Sequence, residues 1–90
     1  MTAPKRDAVF DPIFLKDLDF WIETDRRLAQ RILRLVDDVL RDPFMGIGKP
    51  EKVRWLQNTW SRRINEEHRL VYRVFDDRIY FLQARYHYKK

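Results

Sequence analysis

The sequence predicts an α+β domain in which two N-terminal helices are followed by a small antiparallel β-sheet. Apolar residues recur at helical spacing in the first half of the chain, and three strand-like runs separated by short acidic turns lie between Trp60 and Tyr88. Ninety residues suffice for one domain, because a chain of this size buries roughly 60% of the surface that it exposes when unfolded. We therefore expect residues 1–90 to fold as a single domain.

The first helix is predicted to begin at Asp11, a candidate N-cap, with Pro12 at its first helical position. Residues Asp7 to Phe10 are candidates for a short strand before it. The helix continues to about Glu23 on apolar residues at helical spacing, which are Ile13, Phe14, Leu18 and Trp21.

A second helix is predicted to start at Thr24 or Asp25, with Glu23-Thr24 as the tight corner of a helical hairpin. It extends to about Asp42 and is ended by Pro43, because a proline ring is incompatible with a continuing helix. Its apolar face consists of Leu28, Ile32, Leu35, Val36, Val39 and Leu40. The opposite face, which includes Asp38, is charged and is interpreted as a solvated surface.

Residues 42–59 are predicted to form an irregular connection that holds both glycines and two of the four prolines. A loop of this length in so small a domain is usually functional. Its Gly-Ile-Gly-Lys sequence is not a phosphate-binding loop, since the required spacing, preceding strand and following helix are missing. Glu51 lies between two lysines of this loop, and a surface pair with a lysine is the alternative to a functional role.

The C-terminal strands place arginines and histidines among aromatic residues. Side chains alternate along a strand, so Arg69 and His68 lie on opposite faces of the middle strand, and His68 is interpreted as structural. The last strand is predicted to continue to Tyr88, with Arg85 and His87 on one face. The apolar parts of these strands suit a core against the helices, and chemistry is expected at the end near the chain terminus.

The basic excess of the chain lies in its second half. The net charge is +5, but residues 1–48 hold eight Lys/Arg against nine Asp/Glu, whereas residues 49–90 hold eleven against five. A one-sided basic surface is the electrostatic footprint of a nucleic-acid-binding protein. A basic surface that is only solvated is the alternative.

The composition argues against several classes of protein. The chain has no cysteine, which excludes disulfides and thiolate metal sites. It has no signal-peptide pattern and no stretch near the roughly 20 apolar residues of a membrane span, so we expect a cytoplasmic protein with no membrane contact. Its two histidines, nineteen residues apart, make no credible metal set, and we expect neither metal nor cofactor.

The remaining polar residues suit metal-free cleavage of RNA. RNA supplies the 2′-hydroxyl as nucleophile, so cleavage requires a base, an acid for the 5′-oxygen and cations around the phosphorane. Histidine exchanges protons near neutral pH, and arginine presents a planar fork of donors to phosphate oxygens. Tyr86 and Tyr88 can stack on unpaired bases. The simpler alternatives are an exposed His87, tyrosines that pack at the sheet edge, and Arg69 paired with a glutamate of the preceding turn.

Three segments carry a family resemblance. They are Asp42-Pro-Phe…Gly-Ile-Gly-Lys-Pro-Glu51, Trp60-Ser-Arg-Arg-Ile-Asn-Glu-Glu-His-Arg-Leu-Val-Tyr72 and Arg85-Tyr-His-Tyr88. In order and spacing they resemble the YoeB/Txe-type toxins of bacterial type II toxin–antitoxin systems, within the wider RelE/ParE superfamily. The resemblance covers nearly the whole chain.

This resemblance implies two N-terminal helices packed on a small twisted antiparallel β-sheet, and a ribosome-dependent endoribonuclease that cuts messenger RNA in the decoding site. By similarity, Glu51 is the general base and His87 the general acid. Arg69 stabilises the phosphorane, and Tyr88 helps to hold the reacting nucleotide. The expected products have 2′,3′-cyclic phosphate or 3′-phosphate ends. The residues expected to contact RNA phosphates are Lys49, Lys52, Arg62, Arg63 and Arg85.

The resemblance also implies a homodimer and a cognate antitoxin of the YefM/Axe type, partly disordered, that folds over the active-site side. A basic face suited to an acidic, apolar segment agrees with that implication. Two other functions stay open on sequence grounds: a non-catalytic module that binds RNA or a partner, and a ParE-like toxin that inhibits DNA gyrase.

Overall fold

Residues 5–86, which a computed structural model describes, form two helices and five strands. In chain order these are β1 (Asp7–Phe10), α1 (Pro12–Thr24), α2 (Arg26–Arg41), β2 (Glu51–Lys52), β3 (Thr59–Arg63), β4 (Arg69–Val74) and β5 (Arg78–Gln83). The predicted α+β fold of two N-terminal helices and a small β-sheet is confirmed, including the short first strand. Over the same residues, neither helix is long and apolar enough to cross a membrane.

The strands form one sheet in the order β1-β5-β4-β3-β2. Strands β2 to β5 pair antiparallel, and the meander of β3, β4 and β5 is the one that the sequence predicts. Strand β1 pairs with β5 in parallel, with Asp7 beside Arg78 and Phe10 beside Phe81. The sheet is therefore mixed, and strands from opposite ends of the described chain lie side by side.

Both helices begin at aspartates that cap them. The Asp11 carboxylate accepts the Ile13 N–H at 2.9 Å, ahead of the proline at the first helical position. Asp25 serves both helices: its N–H donates to the Trp21 carbonyl at 2.7 Å, and its carboxylate accepts the Leu28 N–H at 3.4 Å. A tight corner is thus present, but it lies at Asp25 and not at the predicted Glu23-Thr24, which still belongs to α1.

The helices pack on one face of the sheet, here called the inner face. On β4 this face carries Leu70, Tyr72 and Val74, which join the apolar side of α2 in one buried core. The residues that alternate with them, such as Arg69 and Arg73, lie on the opposite or outer face. The fold thus places the polar residues of β4 on the side away from the helices.

Arg62 is fully buried, and its predicted role as a phosphate contact is wrong. It alternates with Ser61 along β3 and so points to the inner face, where its guanidinium forms an ion pair with Asp38 of α2. The hydroxyl of Tyr72 lies 3.2 Å from its Nε atom. The other hydrogen bonds of the Arg62 guanidinium go to three backbone carbonyls of the loop after α2. These are the carbonyls of Asp42, Met45 and Ile47, at 2.5, 3.1 and 3.1 Å.

Asp38 is buried rather than on a solvated face, which corrects the interpretation of that side of α2. Burial raises the pKa of a carboxyl group, but hydrogen bonds from Arg62, the Ile47 N–H and Arg41 lower the pKa of Asp38 below its ordinary value. At Gly46, where φ is 138°, a Cβ atom would overlap the Asp38 carboxylate and lie 2.8 Å from Arg62 Nη1. The Gly-Ile-Gly segment therefore closes over a buried ion pair.

Residues 42–59 are less irregular than predicted. They contain β2, in which Glu51 pairs with Ser61 and Lys52 with Trp60, and β3 already begins at Thr59. A strand of two residues is too short for side-chain alternation to show in the sequence. Glu51 therefore lies on a strand at the sheet edge and not in an irregular loop.

Strand β5 ends at Gln83, so its predicted continuation is wrong for residues 84–86. The Ala84 N–H donates to Asp17 Oδ2 at 2.9 Å, and the Ala84 carbonyl accepts the indole N–H of Trp21 at 2.9 Å. Both hydrogen-bonding groups of Ala84 are thus used by α1 and are not available to a neighbouring strand. The part of the prediction that concerns Tyr88 lies outside the described residues.

Candidate active site on the outer face of the sheet

Glu51 and Arg69, predicted as general base and phosphorane stabiliser, lie opposite each other. Glu51 on β2 is paired in register with Ser61 on β3, which is paired with Val71 on β4, so these three side chains share the outer face. Arg69 precedes Val71 by two residues and points the same way. Its Nη2 atom lies 3.8 Å from Glu51 Oε1.

Arg69 is fixed by the sheet, whereas Glu51 is open to solvent. Arg69 is 8% exposed, and its Nε atom donates to the Ser61 hydroxyl at 2.9 Å. The Glu51 side chain is 65% exposed. Among residues 5–86, Arg69 Nη2 has no hydrogen-bond partner. The arrangement is a positioned cationic donor with unused hydrogen-bonding capacity beside an accessible carboxylate.

A groove of about 330 Å³ opens beside these two side chains. It is lined by Glu51, Lys52, Val53, Arg54, Trp55, Ser61 and Arg69. The half-exposed indole of Trp55 offers an aromatic surface on which a base can stack. The groove therefore combines a carboxylate that can accept a proton, a guanidinium that can donate to phosphate oxygens and an aromatic surface.

The segment that leads to the chain terminus begins beside Arg69. The Arg69 N–H donates to the Tyr86 carbonyl at 3.2 Å, and the Tyr86 N–H donates to Nδ1 of His68 at 2.7 Å. His87 and Tyr88 follow directly but lie outside the described residues. Their predicted roles as general acid and nucleotide-holding residue stay predictions.

His68 is structural, as predicted. It is buried, and its ring packs edge-on against the indole of Trp21, with centroids 4.8 Å apart. Tyr86 has a φ of 62°, a left-handed conformation that is uncommon for a residue other than glycine. The hydrogen bond from its N–H to His68 stabilises this backbone turn.

Asp17 lies beneath the same segment and holds its backbone at Ala84. Burial raises the pKa of Asp17, although the Ala84 N–H and the charges of Arg85 and His68 oppose the rise. The carboxylate is therefore a partly desolvated acceptor that helps to fix the approach of the chain to its terminus.

The predicted phosphate contacts differ in accessibility. Those that are exposed are Lys49, Lys52 and Arg63. Arg85 is half-buried, with its guanidinium 3.6 Å from the centroid of the Phe20 ring, which is a cation–π contact. Arg62 is fully buried and therefore cannot contact phosphate, as described above. Three of the five predicted phosphate contacts are thus exposed to solvent.

Sequence reasoning missed Ser61 and Trp55. Alternation along Trp-Ser-Arg-Arg would have put Ser61 on the face opposite Arg62, but only the register between β3 and β4 brings it against Arg69. The alternative pairing of Arg69 with a turn glutamate is not observed, because its ion pair is with Glu51. Within residues 5–86, no three acidic or histidine side chains are placed to hold a metal ion.

Comparison with known proteins shows the family to which the chain belongs. The family described as "YoeB-like toxin of bacterial type II toxin-antitoxin system" matches residues 10–88, a span that includes every predicted site residue. Toxin RelK of Mycobacterium tuberculosis is 54% identical over 84 residues, which cover 92% of this chain and 99% of that protein.

Two solved structures from Staphylococcus aureus are also similar. The YoeB dimer has a TM-score of 0.85 at 37% identity and covers 93% of this chain and 99% of its own. The YoeB–YefM complex has a TM-score of 0.80 at 36% identity with the same coverage. Because the family match spans nearly the whole chain, this protein belongs to the YoeB-like toxins of bacterial type II toxin–antitoxin systems, a family of ribosome-dependent mRNA endoribonucleases.

Proposed function

We propose that this chain cleaves messenger RNA in the decoding site of the ribosome by metal-free acid–base catalysis on the outer face of its sheet. The observation that carries this proposal is the position of Glu51, 3.8 Å from Arg69 in the lining of a groove that Trp55 also lines. A carboxylate and a guanidinium so placed meet two needs of RNA cleavage, a proton acceptor and a donor to phosphate oxygens.

In the proposed reaction, Glu51 takes the proton of the ribose 2′-hydroxyl, and the oxygen attacks the adjacent phosphorus. Arg69 donates to the phosphorane oxygens, for which its Nη2 atom has unused capacity among the described residues. His87 gives a proton to the 5′-oxygen as the P–O5′ bond breaks, which leaves a 2′,3′-cyclic phosphate and a 5′-hydroxyl. Water can then open the cyclic phosphate to a 3′-phosphate. Tyr88 holds the reacting nucleotide.

Exposed cations extend the proposed RNA path beyond the reacting phosphate. Lys49 and Lys52 flank Glu51 in the chain, and Arg63 is paired in register with Arg69. Together with Arg85 they are the proposed contacts to messenger or ribosomal RNA. Such contacts fix the strand without reading its sequence.

We further infer that the chain forms a homodimer and binds an antitoxin of the YefM/Axe type in the cytoplasm. The S. aureus relatives support this inference, since they include a YoeB dimer and a YoeB–YefM complex. Exposed apolar side chains also lie next to the basic half of the chain, at Phe44, Met45 and Ile47. An acidic segment with apolar residues would complement both features.

Primer extension on a defined messenger, with and without ribosomes, tests the proposed reaction. Wild type is expected to cut only with ribosomes, at a codon in the decoding site, whereas Glu51→Gln and His87→Ala are expected to lose cleavage. Glu66→Gln is the matched control, because this glutamate is exposed in the turn before β4 and outside the groove. Product ends are read by sensitivity to a 2′,3′-cyclic phosphodiesterase.

Equal cleavage by wild type and His87→Ala would remove His87 from the mechanism, and equal cleavage by Glu51→Gln would remove the general base. Ribosome binding without cleavage under any condition would instead indicate a non-catalytic binding module.

A further inference from the structure

A second groove opens on the outer face of the sheet, on the side of β4 toward β5 and β1. It is lined by Asp11, Arg73, Phe75, Arg78, Tyr80 and Leu82. The guanidinium carbons of Arg73 and Arg78 lie 5.9 and 5.8 Å from the centroid of the Phe75 ring. Two cations thus converge on one aromatic ring, and Tyr80 is paired in register with Arg73 beside it.

Arg73 is the residue of this groove that the fold does not explain. It is half-buried, its Nε atom is buried without a hydrogen-bond partner among residues 5–86, and it forms no ion pair with a described carboxylate. A desolvated, uncompensated charge lowers stability. The contrast is Arg62 on the neighbouring strand, whose buried guanidinium is fully bonded to Asp38 and to backbone carbonyls.

The carboxylates near this groove do not neutralise Arg73. Asp77 lies 3.4 Å from Arg78, but both side chains are exposed, and an exposed ion pair is readily displaced by a stronger anionic ligand. Asp11 uses its carboxylate as the N-cap of α1. The groove therefore offers two guanidinium groups and two aromatic rings to a ligand that brings both a phosphate and a planar ring.

The position of Arg73 connects the two grooves. Arg69 and Arg73 point to the same face of β4 four residues apart, which is about 13 Å along a strand. We propose that the second groove binds the phosphodiester backbone of RNA, with a phosphate on Arg73 and Arg78 and a base against the Phe75 or Tyr80 ring, a few nucleotides from the reacting phosphate. The proposal rests on the proposed function, because it extends the same RNA strand along the same face.

The test compares Arg73→Gln/Arg78→Gln with a charge-matched control, Arg26→Gln/Arg27→Gln, in which the altered residues are exposed at the start of α2. Both are made in a Glu51→Gln background, so that binding is measured without cleavage. The probes are a fluorescein-labelled single-stranded RNA of ten nucleotides and, separately, ribosomes that carry no messenger. The dissociation constant of each is measured over a range of salt concentrations.

We expect the Arg73→Gln/Arg78→Gln pair to weaken binding about tenfold or more and to reduce the slope of log K against log salt by about 0.7, which corresponds to the loss of the one phosphate that both arginines contact on a single strand. The control is expected to change little. Weaker binding of the oligonucleotide supports the proposal. Weaker binding of empty ribosomes alone would assign the groove to ribosomal RNA and would overturn the placement of the cleaved strand in this groove.

Binding to both probes equal to that of the control would overturn it. So would weakened binding of an acidic antitoxin peptide with unchanged RNA binding, which would assign the groove to a protein segment. Thermal unfolding supplies a second readout: Arg73→Gln should leave the melting temperature unchanged or raise it, and a large fall would mean that Arg73 is structural. Since cleavage is absent from this assay, failure of the Glu51 mechanism in primer extension would leave these results interpretable on their own.

Discussion

Nδ1 of His68 accepts the backbone N–H of Tyr86 at 2.7 Å, while the next residue, Arg69, donates its own N–H to the Tyr86 carbonyl at 3.2 Å. Two neighbouring residues at the start of β4 thus hold both hydrogen-bonding groups of Tyr86. The chain beyond Tyr86 therefore departs from a fixed point beside the guanidinium that faces Glu51.

Removing the hydrogen-bond acceptor of His68 should free the Tyr86 backbone from its anchored position. In His68→Leu we expect a lower rate of ribosome-dependent cleavage and a loss of about 1–3 kcal/mol in the free energy of unfolding, because the Tyr86 N–H loses its partner. His68→Asn keeps an acceptor near the position of Nδ1 and should recover much of both. Single-turnover cleavage and urea unfolding measure the two effects. Wild-type cleavage by the leucine variant would show that the bond does not position the terminal segment.

Arg69→Lys should keep the charge and lose most of the function. Lysine cannot donate to Ser61 and to a phosphate with a planar fork, so we expect the single-turnover rate to fall by about 10²–10³-fold. Arg26→Lys, an exposed residue of α2, is the matched control and should cleave as wild type does. A lysine variant as fast as this control would remove the guanidinium from the transition state.

Asp38→Ala should be among the most destabilising substitutions in the chain. It leaves the buried Arg62 without its anion, which costs about 3–5 kcal/mol of unfolding free energy. Asp37→Ala removes the same group from the next, exposed position and should change stability by less than about 0.5 kcal/mol. Urea unfolding of both variants decides the point: equal effects would mean that the ion pair contributes no more than a surface charge.

Acid should weaken the fold through Asp38. Its pKa is lowered in the folded chain, so its stabilising contribution is present above the ordinary value of 3.8 and is lost as pH falls through the lower folded value. Stability should therefore decline below about pH 4, and less steeply in Asp38→Asn. Asp17 acts in the opposite sense, because a raised pKa favours the fold in acid and its contribution is lost as pH rises through that value. The free energy of unfolding of Asp38→Asn and of Asp17→Asn, measured across this pH range, separates the contribution of Asp38 from that of Asp17.

Features of the fold that depend only on residues close together in the sequence could be predicted. The Asp11 and Asp25 caps are local signals, and the apolar periodicity of α2 is long enough to identify its buried face. Strand β2 could not be predicted, because two residues carry no period. The end of β5 could not be predicted either, since it is set by hydrogen bonds from Asp17 and Trp21 of α1, far away in the chain.

The candidate site divides in the same way. The resemblance indicated Glu51 and Arg69, and the structure brings these two residues together. The resemblance could not distinguish Arg62 from Arg63, because they are adjacent arginines with identical chemistry. What separates them is the face of β3 on which each lies and the presence of Asp38 behind it. Such a distinction depends on tertiary packing, which composition and charge do not encode.

The parallel pairing of β1 with β5 affects the order in which the protein is assembled during translation. β1 is made before the other strands of the sheet, but its partner β5 is made after them, so the sheet cannot be completed until β5 has left the ribosome. The Tyr86 turn beside Arg69 follows β5 in the chain and is made later still. A nascent chain therefore lacks both the complete sheet and the anchored turn beside Arg69 until these late segments have emerged.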